Sequence, residues 1–465
     1  MIWVSLTIMI CTVVISAACL RSWRGDALGI PLVAIGTFAF VYVVQPIQLL
    51  WTGTNSLFVT DWQMSEGLLV PALMLACFVW GWLYPARSMQ TMGTPWNRRA
   101  MWKVGFWAAC IGLILYVIFL ERSGGFAASY SQGHGQAMAW KTNTAYLYYG
   151  PWLMLSGSTM MIFGDPKSRT RRWMKYIPYS FLMMFLADAI MGGDRGPLFS
   201  ASAVAFVSYS IARRRRVELL RAFGLLLIVG CVIIIVFANR ERIHVGEHDS
   251  EQVRSSSEAL NELVGTSEYE QEHATSGQEF LYHAVELNTV DQTGKLDYGV
   301  SWIEFLVLNP IPRLLWPEKK YPPSPGINWT DIQEHTSLAI AGGAAPGIVA
   351  DLYVRFHLFS TLFFFALGYG SRKLFVAACS LSSPVTAVGY VMVCAVSLNM
   401  FAQGFGAIFV PLGYSMAPVL LFWWATSESR RKASQRQREL ILSQVAALRR
   451  QTAALHGEQW SSSHS

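Results

Sequence analysis

Apolar runs of roughly 16–25 residues, the length needed to cross a hydrocarbon core of about 30 Å, recur from one end of this chain to the other. They fall near 2–20, 28–51, 67–84, 104–120, 144–164, 177–193, 197–212, 222–238, 356–371, 384–401 and 406–426. Inside lipid every backbone N–H and C=O needs a partner, so only helices and closed barrels cross. These runs are too long and too continuously apolar for barrel strands. The expected fold is therefore all-α, a polytopic transmembrane helix bundle of about eleven spans. Composition excludes a soluble protein, because only 14% of residues are charged, against about 25% in a typical soluble chain.

One long polar stretch interrupts the pattern and divides the chain into four parts. Residues 1–238 carry about eight spans, 239–355 form one large extracytoplasmic loop, 356–426 carry about three spans, and 427–465 are a basic tail. The formal charge of +7 conceals this division. The stretch 239–355 is net −10 and the remainder net +17. Five alternate short loops hold 18 Lys and Arg, among them Arg213 to Arg216, whereas the intervening short loops hold just Arg122, Lys141 and Arg195. Positive charge is retained in the cytoplasm, so the N-terminus is expected outside and the C-terminus inside. The first run lacks a basic leading region and is expected to be a retained anchor. In the tail, Ile441, Val445, Leu448 and Leu455 suit a basic amphipathic helix lying on the cytoplasmic leaflet.

Polar groups on the outer side are the candidates for chemistry. Gly192-Gly193-Asp194-Arg195-Gly196-Pro197 is a tight turn between two spans. Its Arg195 is either a snorkelling cation or an anion site, since a guanidinium holds phosphate oxygens bidentately. Asp188 lies inside an apolar run, where a carboxylate is expensive and its partner must be named; it is either a bundle-pairing residue or a neighbour of Arg195 in one cavity. The segment 309–322 has prolines at 310, 312, 317 and 322 and is expected to dip into the membrane surface, with Arg313, Lys319 and Lys320 near lipid phosphates. Asp351 and Arg355 stand four apart on one helix face. They form either a local ion pair or a general base beside an anion-binding arginine. Arg240 and Arg242 add outer cations.

Seven of the nine histidines are also outside. Their spacing makes no metal site, so neither a metal nor any other cofactor is expected. His335 and His357 are reserve bases, and His335 joins the groups expected to contact substrate. The seven cysteines fall in or beside apolar runs and read as buried filler. There is no Walker A motif, no G-x-G-x-x-G opening a βαβ unit and no H-E-x-x-H. Asp-x-Asp is absent too, so a nucleotide-using enzyme is not indicated, and the charge distribution excludes nucleic acid as a partner.

Taken in order, Gly-Asp-Arg-Gly at 193–196, Pro-Arg-Leu-Leu-Trp-Pro-Glu-Lys at 312–319 and Gly-Ile-Val-Ala-Asp-Leu-Tyr-Val-Arg-Phe at 347–356 resemble a known set. With the large outer loop between spans, the chain resembles the bacterial oligosaccharide repeat-unit polymerases, the Wzy-type O-antigen and exopolysaccharide polymerases, over about 180–375. The resemblance implies a cell inner membrane glycosyltransferase that needs neither metal nor nucleotide. It would transfer a growing chain from undecaprenyl pyrophosphate to a lipid-linked oligosaccharide on the periplasmic face. Membrane lipids, a chain-length regulator and a flippase are the implied partners. The family's glycine-flanked arginine maps onto Arg195 and its Pro-Arg arginine onto Arg313. Members often read Gly-Glu-x-Tyr-x-Asn-Phe-Gly where this chain has Ala350 to His357, with Asp351 for Glu, Arg355 for Asn and His357 for Gly.

The implied roles are Arg195 and Arg313 on pyrophosphate and Asp351 as base, the three catalytic positions. Arg240, Arg355, Lys319 and His335 would bind substrate, and Asp188 would orient an arginine there. An O-antigen ligase would use nearly the same groups. A polysaccharide or lipid transporter shares the many spans but calls for paired broken helices in an internal repeat, which the sequence does not present.

Overall fold

The computed structural model describes residues 1–22, 29–53, 59–85, 96–125, 145–164, 172–192, 195–213, 278–308, 316, 325–335, 345–381 and 383–426. The run at 222–238 and the tail 427–465 lie outside these residues. Among the described residues the secondary structure is helical throughout, without a strand. Seven helices among the described residues are long and apolar enough to cross a membrane, as in a helical membrane protein.

In chain order the helices are α1 (Ile2–Ser22), α2 (Ile30–Thr52), α3 (Asp61–Leu83), α4 (Arg98–Arg122), α5 (Gly150–Gly164), α6 (Ile177–Gly192) and α7 (Arg195–Arg213). After the polar stretch begins come α8 (Gln278–Thr293), α9 (Trp329–His335), α10 (Gly347–Phe356), α11 (Ser360–Ser380), α12 (Pro384–Gln403) and the span Gly406–Thr426. The runs expected at 144–164, 177–193 and 197–212 form α5, α6 and α7, whose apolar parts are shorter than a full crossing. Contacts divide the chain into two units, 1–418 and 419–465. Of the second, residues 419–426 are described and helical. The first unit contains all of α1 to α12.

Burial separates central from peripheral helices. In α12, 67% of the span window is inside the protein, against 28% in α1 and α4. α12 lies against α2, α7, α10 and α11, and α3 packs on both α1 and α11. Lipid tails are as apolar as leucine, so such helices are held by close packing and hydrogen bonds. Gly81 of α3 meets the Phe365 backbone and Gly368 of α11 meets the Phe78 backbone, a reciprocal approach. α4 and α5 are joined by a longer seam of glycines. Trp3, Trp51 and Trp62, at helix ends, are well exposed, as are Trp80 and Tyr84 near the far end of α3. Amphipathic rings at such positions anchor a bundle at the headgroup level.

Two helices are shaped by proline. In α2, Pro46 supplies no N–H for the preceding turn, and the helix opens into a π turn at Phe40–Val44 in which the Gln45 N–H reaches the Phe40 carbonyl. In α3, Pro71 leaves the Gly67 carbonyl without its usual partner. α3 starts on a capping box, with Gln63 N–H to Thr60 Oγ1 at 3.3 Å and Thr60 N–H to Gln63 Oε1 at 2.7 Å.

Within the polar stretch, α8 docks on α3 and α10 through Phe280, Leu281, Ala284, Leu287 and Val290, all essentially buried. Their three- and four-residue spacing is an apolar helix stripe. The last residues of this stretch, expected as loop up to 355, form α10, which is followed by a short 3-10 turn, His357–Phe359, and then α11. α10 is helical because Ile348, Val349, Ala350, Leu352 and Tyr353 are buried while Asp351 and Arg355 neutralise each other.

Candidate functional site

The ends of α2, α3, α8, α10 and α12 converge. Gln45, 3% exposed, donates from Nε2 to Glu279 Oε2 at 2.6 Å and accepts the Phe280 N–H at 3.1 Å. It thereby satisfies one of the unpaired donors in the first turn of α8. Gln63 of α3 donates to Asn288 Oδ1 at 2.8 Å. These bonds hold α8 across the end of the bundle, and three polar groupings lie beneath and beside it.

The first is a buried clamp. Arg355 donates from Nη1 to the carbonyl oxygen of Asp351 and to its Oδ1, and from Nη2 to Ser301 Oγ at 2.7 Å. Its Nε stands 3.5 Å from Asp297 Oδ2, and the guanidinium lies 5.5 Å over the Trp302 ring. Ser301 in turn donates to Asp297 Oδ2 at 2.7 Å. The second oxygen of Asp351 accepts the Phe405 N–H at 2.8 Å. That N–H is presented by Gly404, whose φ of 108° suits glycine; a methyl group there would sit 2.9 Å from the Asp351 carboxyl carbon. Asp351 and Arg355 are thus an ion pair that ties the 297–302 segment and the α12 terminus to α10.

The second grouping is buried in the wall between α2, α3 and α8. His283 is fully buried and its ring packs edge-on to Tyr42 at 4.9 Å. The Gly67 and Pro346 carbonyls face it, yet neither ring nitrogen reaches a hydrogen-bonding geometry. Burial pushes His283 down to about 3, with the two carbonyls pulling the other way, and keeps the ring neutral. One helical turn on, Glu286 has one carboxyl oxygen buried without a partner. Burial drives its carboxyl up to about 8, the Asp351 charge adds to the rise, and Arg355 opposes it.

A pH dependence of stability follows from Glu286. Its folded value lies above its ordinary one, so the folded state holds the extra proton and stability falls as pH rises from about 4.5 to about 8. Glu286→Gln keeps the shape without the charge. It is expected to remove that decline, gaining on the order of a few kcal/mol at pH 8 and little at pH 5. Thermal unfolding in detergent at the two pH values measures the difference.

The third grouping is open. Asp291 of α8 accepts from Tyr353 Oη and contacts His357 Nε2, each at 2.9 Å, and its carboxyl also pairs with Glu66 of α3. Tyr353 Oη and His357 Nε2 are 2.9 Å apart. Burial works to raise Asp291, but hydrogen bonds from Glu66, Tyr353 and His357, with the His357 charge, outweigh it and hold Asp291 below the usual carboxylate range. The His357 side chain is 41% exposed, and its backbone is strained for a non-glycine residue, at φ 48° and ψ −137°.

Of the residues expected from the sequence, Asp351 and Arg355 are brought together in the clamp. Asp188 lies on α6, half-buried. Arg195 is the first residue of α7, and the next residue, Gly196, backs directly onto the Asn399 side chain of α12. Gly196, next in the chain to Arg195, and the Phe405 N–H that binds Asp351 therefore meet the same end of α12. Arg240, Arg313 and Lys319 lie outside the described residues. His335 is the last residue of α9.

Glu66, Glu286, Asp291, Asp297 and Tyr353 were not singled out from the sequence. Glu66 carried a usable signal, a carboxylate at the edge of an apolar run. Among the described residues no group of three or more His, Cys, Asp or Glu side chains is arranged to hold a metal ion. Compared with known proteins, the chain matches no protein-family model, no curated protein and no solved structure.

Proposed function

We propose that the chain is a bacterial inner-membrane glycosyltransferase. It polymerises undecaprenyl-pyrophosphate-linked oligosaccharide repeat units into O-antigen or exopolysaccharide. On this reading it has about eleven spans, its N-terminus and the 239–355 stretch face the periplasm, and its C-terminus is cytoplasmic. One observation supports the reading: Gly196, the last residue of the first ordered motif, and Asp351 of the third meet the same end of α12, through Asn399 and the Phe405 N–H.

The chemistry is compatible. The leaving group is a pyrophosphate, so arginines that hold its oxygens stabilise charge that grows in the transition state. Arg195 and Arg313 take that role, with Arg240 and Lys319 assisting in substrate binding. The buried Asp351–Arg355 pair holds the floor of the site, and Asp188 keeps an arginine oriented. Cleavage of the glycosyl–pyrophosphate bond supplies the driving force, so no nucleotide is consumed.

Deleting the gene and running surface polysaccharide on a gel tests this. Loss of a polymerase leaves single repeat units on the lipid anchor, loss of a ligase leaves none, and loss of a transporter traps lipid-linked units inside. Complementation with Arg195→Ala is expected to insert normally and restore no ladder. Unchanged chain length in the deletion strain rejects the reading.

A further inference from the structure

We infer that His357, oriented by Asp291, is the base that takes the proton from the acceptor sugar's hydroxyl, with Tyr353 and Glu66 as positioning residues for the pair. This rests on the transferase reading and names the group that does the proton transfer.

Geometry singles out His357. Asp351 has one oxygen on Arg355 and the other on the Phe405 N–H, so no acceptor of its own faces an incoming hydroxyl. His357 has the opposite arrangement. With the ring proton on Nε2, that nitrogen donates to Asp291 Oδ1 at 2.9 Å, and the lone pair falls on Nδ1. Among the described residues Nδ1 makes no hydrogen bond, and the side chain is open to the surroundings. A carboxylate on one imidazole nitrogen fixes the tautomer and stabilises the imidazolium that forms when the other takes a proton.

The surrounding groups serve that pair. Tyr353 Oη donates to the same Asp291 oxygen, and Glu66 shares a hydrogen bond with Asp291 from the α3 side. Among the described residues, Asp291 of α8 and Tyr353 of α10 are the titratable groups in contact with His357, and Glu66 of α3 reaches it only through Asp291. The strained backbone at His357 places the imidazole at the junction of α10 and α11, beside exposed Leu358 and Phe359. A lipid-linked substrate approaching along the apolar surface meets the ring there. Strain of this kind persists where surrounding structure over-determines it, and here Asp291 of α8 and Tyr353 of α10 both hold the side chain.

The step balances without a further reagent. The hydroxyl oxygen forms the new bond to the anomeric carbon as its proton passes to His357 Nδ1. The bond from that carbon to the pyrophosphate oxygen breaks, and its electron pair leaves with the pyrophosphate. The imidazolium then returns its proton to water or to the departing pyrophosphate.

The test uses the purified full chain in lipid nanodiscs, with the lipid-linked repeat unit that accumulates in the deletion strain as donor and acceptor. His357→Gly suits it, because glycine adopts this backbone without strain and the fold is kept. His357→Gln is the second variant. Both are expected to lose about 10²–10⁴-fold in turnover at unchanged KM, and to lack the rise of rate with pH expected of the wild type on its acid side. Added imidazole is expected to restore part of the His357→Gly rate. Asp291→Asn is expected to lower kcat and leave KM. Wild-type turnover with the same pH limb in both His357 variants overturns the base assignment and leaves the transferase reading standing. A retained limb without imidazole rescue overturns the assignment as well. A wild-type chain that elongates nothing removes both.

Discussion

Arg355→Ala is expected to cost about 3–5 kcal/mol of stability, the range for removing one partner of a buried ion pair. The guanidinium is 7% exposed and carries the opposing charge for both Asp351 and Asp297. Its removal leaves two carboxylates close together, with Ser301 and the Phe405 N–H among their remaining partners. Their repulsion and desolvation then lose the cation that offset them. Glu286 sharpens the loss, because Arg355 is the group that opposes its rise. Arg355→Lys is expected to be intermediate: an ammonium keeps the charge but lacks the planar fork that reaches Asp351, Ser301 and Asp297 together. Adding Asp351→Asn to Arg355→Ala is expected to restore part of the stability by removing one of the stranded charges. Heat unfolding in detergent reads all three, and an Arg355→Ala protein as stable as wild type would show that the clamp supports nothing.

The α4–α5 pair is the second place where one substitution is expected to be severe. Gly105 and Gly112 on α4 face Gly157 and Gly150 on α5, and Gly164 meets the Trp102 backbone. Glycines at seven-residue intervals keep one face of each helix toward the other, the period of a left-handed helix pair. The backbones are in contact along this seam. A methyl group at Gly105 would lie 2.7 Å from the Gly157 carbonyl oxygen, and one at Gly112 would lie 2.6 Å from that of Gly150. At Gly157 it would collide with the Gly105 carbonyl and with Ala109. Those obstacles are backbone atoms, which cannot rotate aside. Gly157→Leu is expected to cost on the order of 3 kcal/mol or more and to abolish accumulation in the membrane. Gly370→Ala is the contrast, since nothing lies within 4 Å of the added carbon. It is expected to be neutral or to stabilise α11 by about 0.5–1 kcal/mol. Quantitative blotting of membrane fractions distinguishes the two, and equal levels for Gly157→Leu and wild type would contradict the seam.

These two features differ in how far the sequence revealed them. The Asp351–Arg355 pairing was legible, since residues four apart on a helix are neighbours. Asp297 and Ser301 were not, because Ser301 is 54 residues from Arg355 and nothing local marks which distant carboxylate a buried arginine will meet. The seven helices of membrane-spanning length were legible from apolar run length. α5 shows the limit of that signal: its run was readable as a span, but its glycines face another helix rather than lipid, and run length carries no facing information. α8 shows the opposite failure. Its apolar stripe is interrupted by Glu286 and Asp291, both turned toward other polar groups, so the segment read as an acidic loop. The strained His357 position was also silent, because backbone dihedrals leave no trace in residue type unless the residue is glycine.

Purified protein tests the polymerisation reaction most directly. The full chain in lipid nanodiscs, given a polyprenyl-pyrophosphate-linked repeat unit alone, is expected to produce a ladder of products. Each step would lengthen the product by one repeat and release one polyprenyl pyrophosphate, with neither nucleotide nor divalent metal added. Arg195→Ala protein of the same stability is expected to produce no ladder. Repeat units left unextended by folded wild-type protein, with no pyrophosphate carrier released, would contradict the polymerase reading.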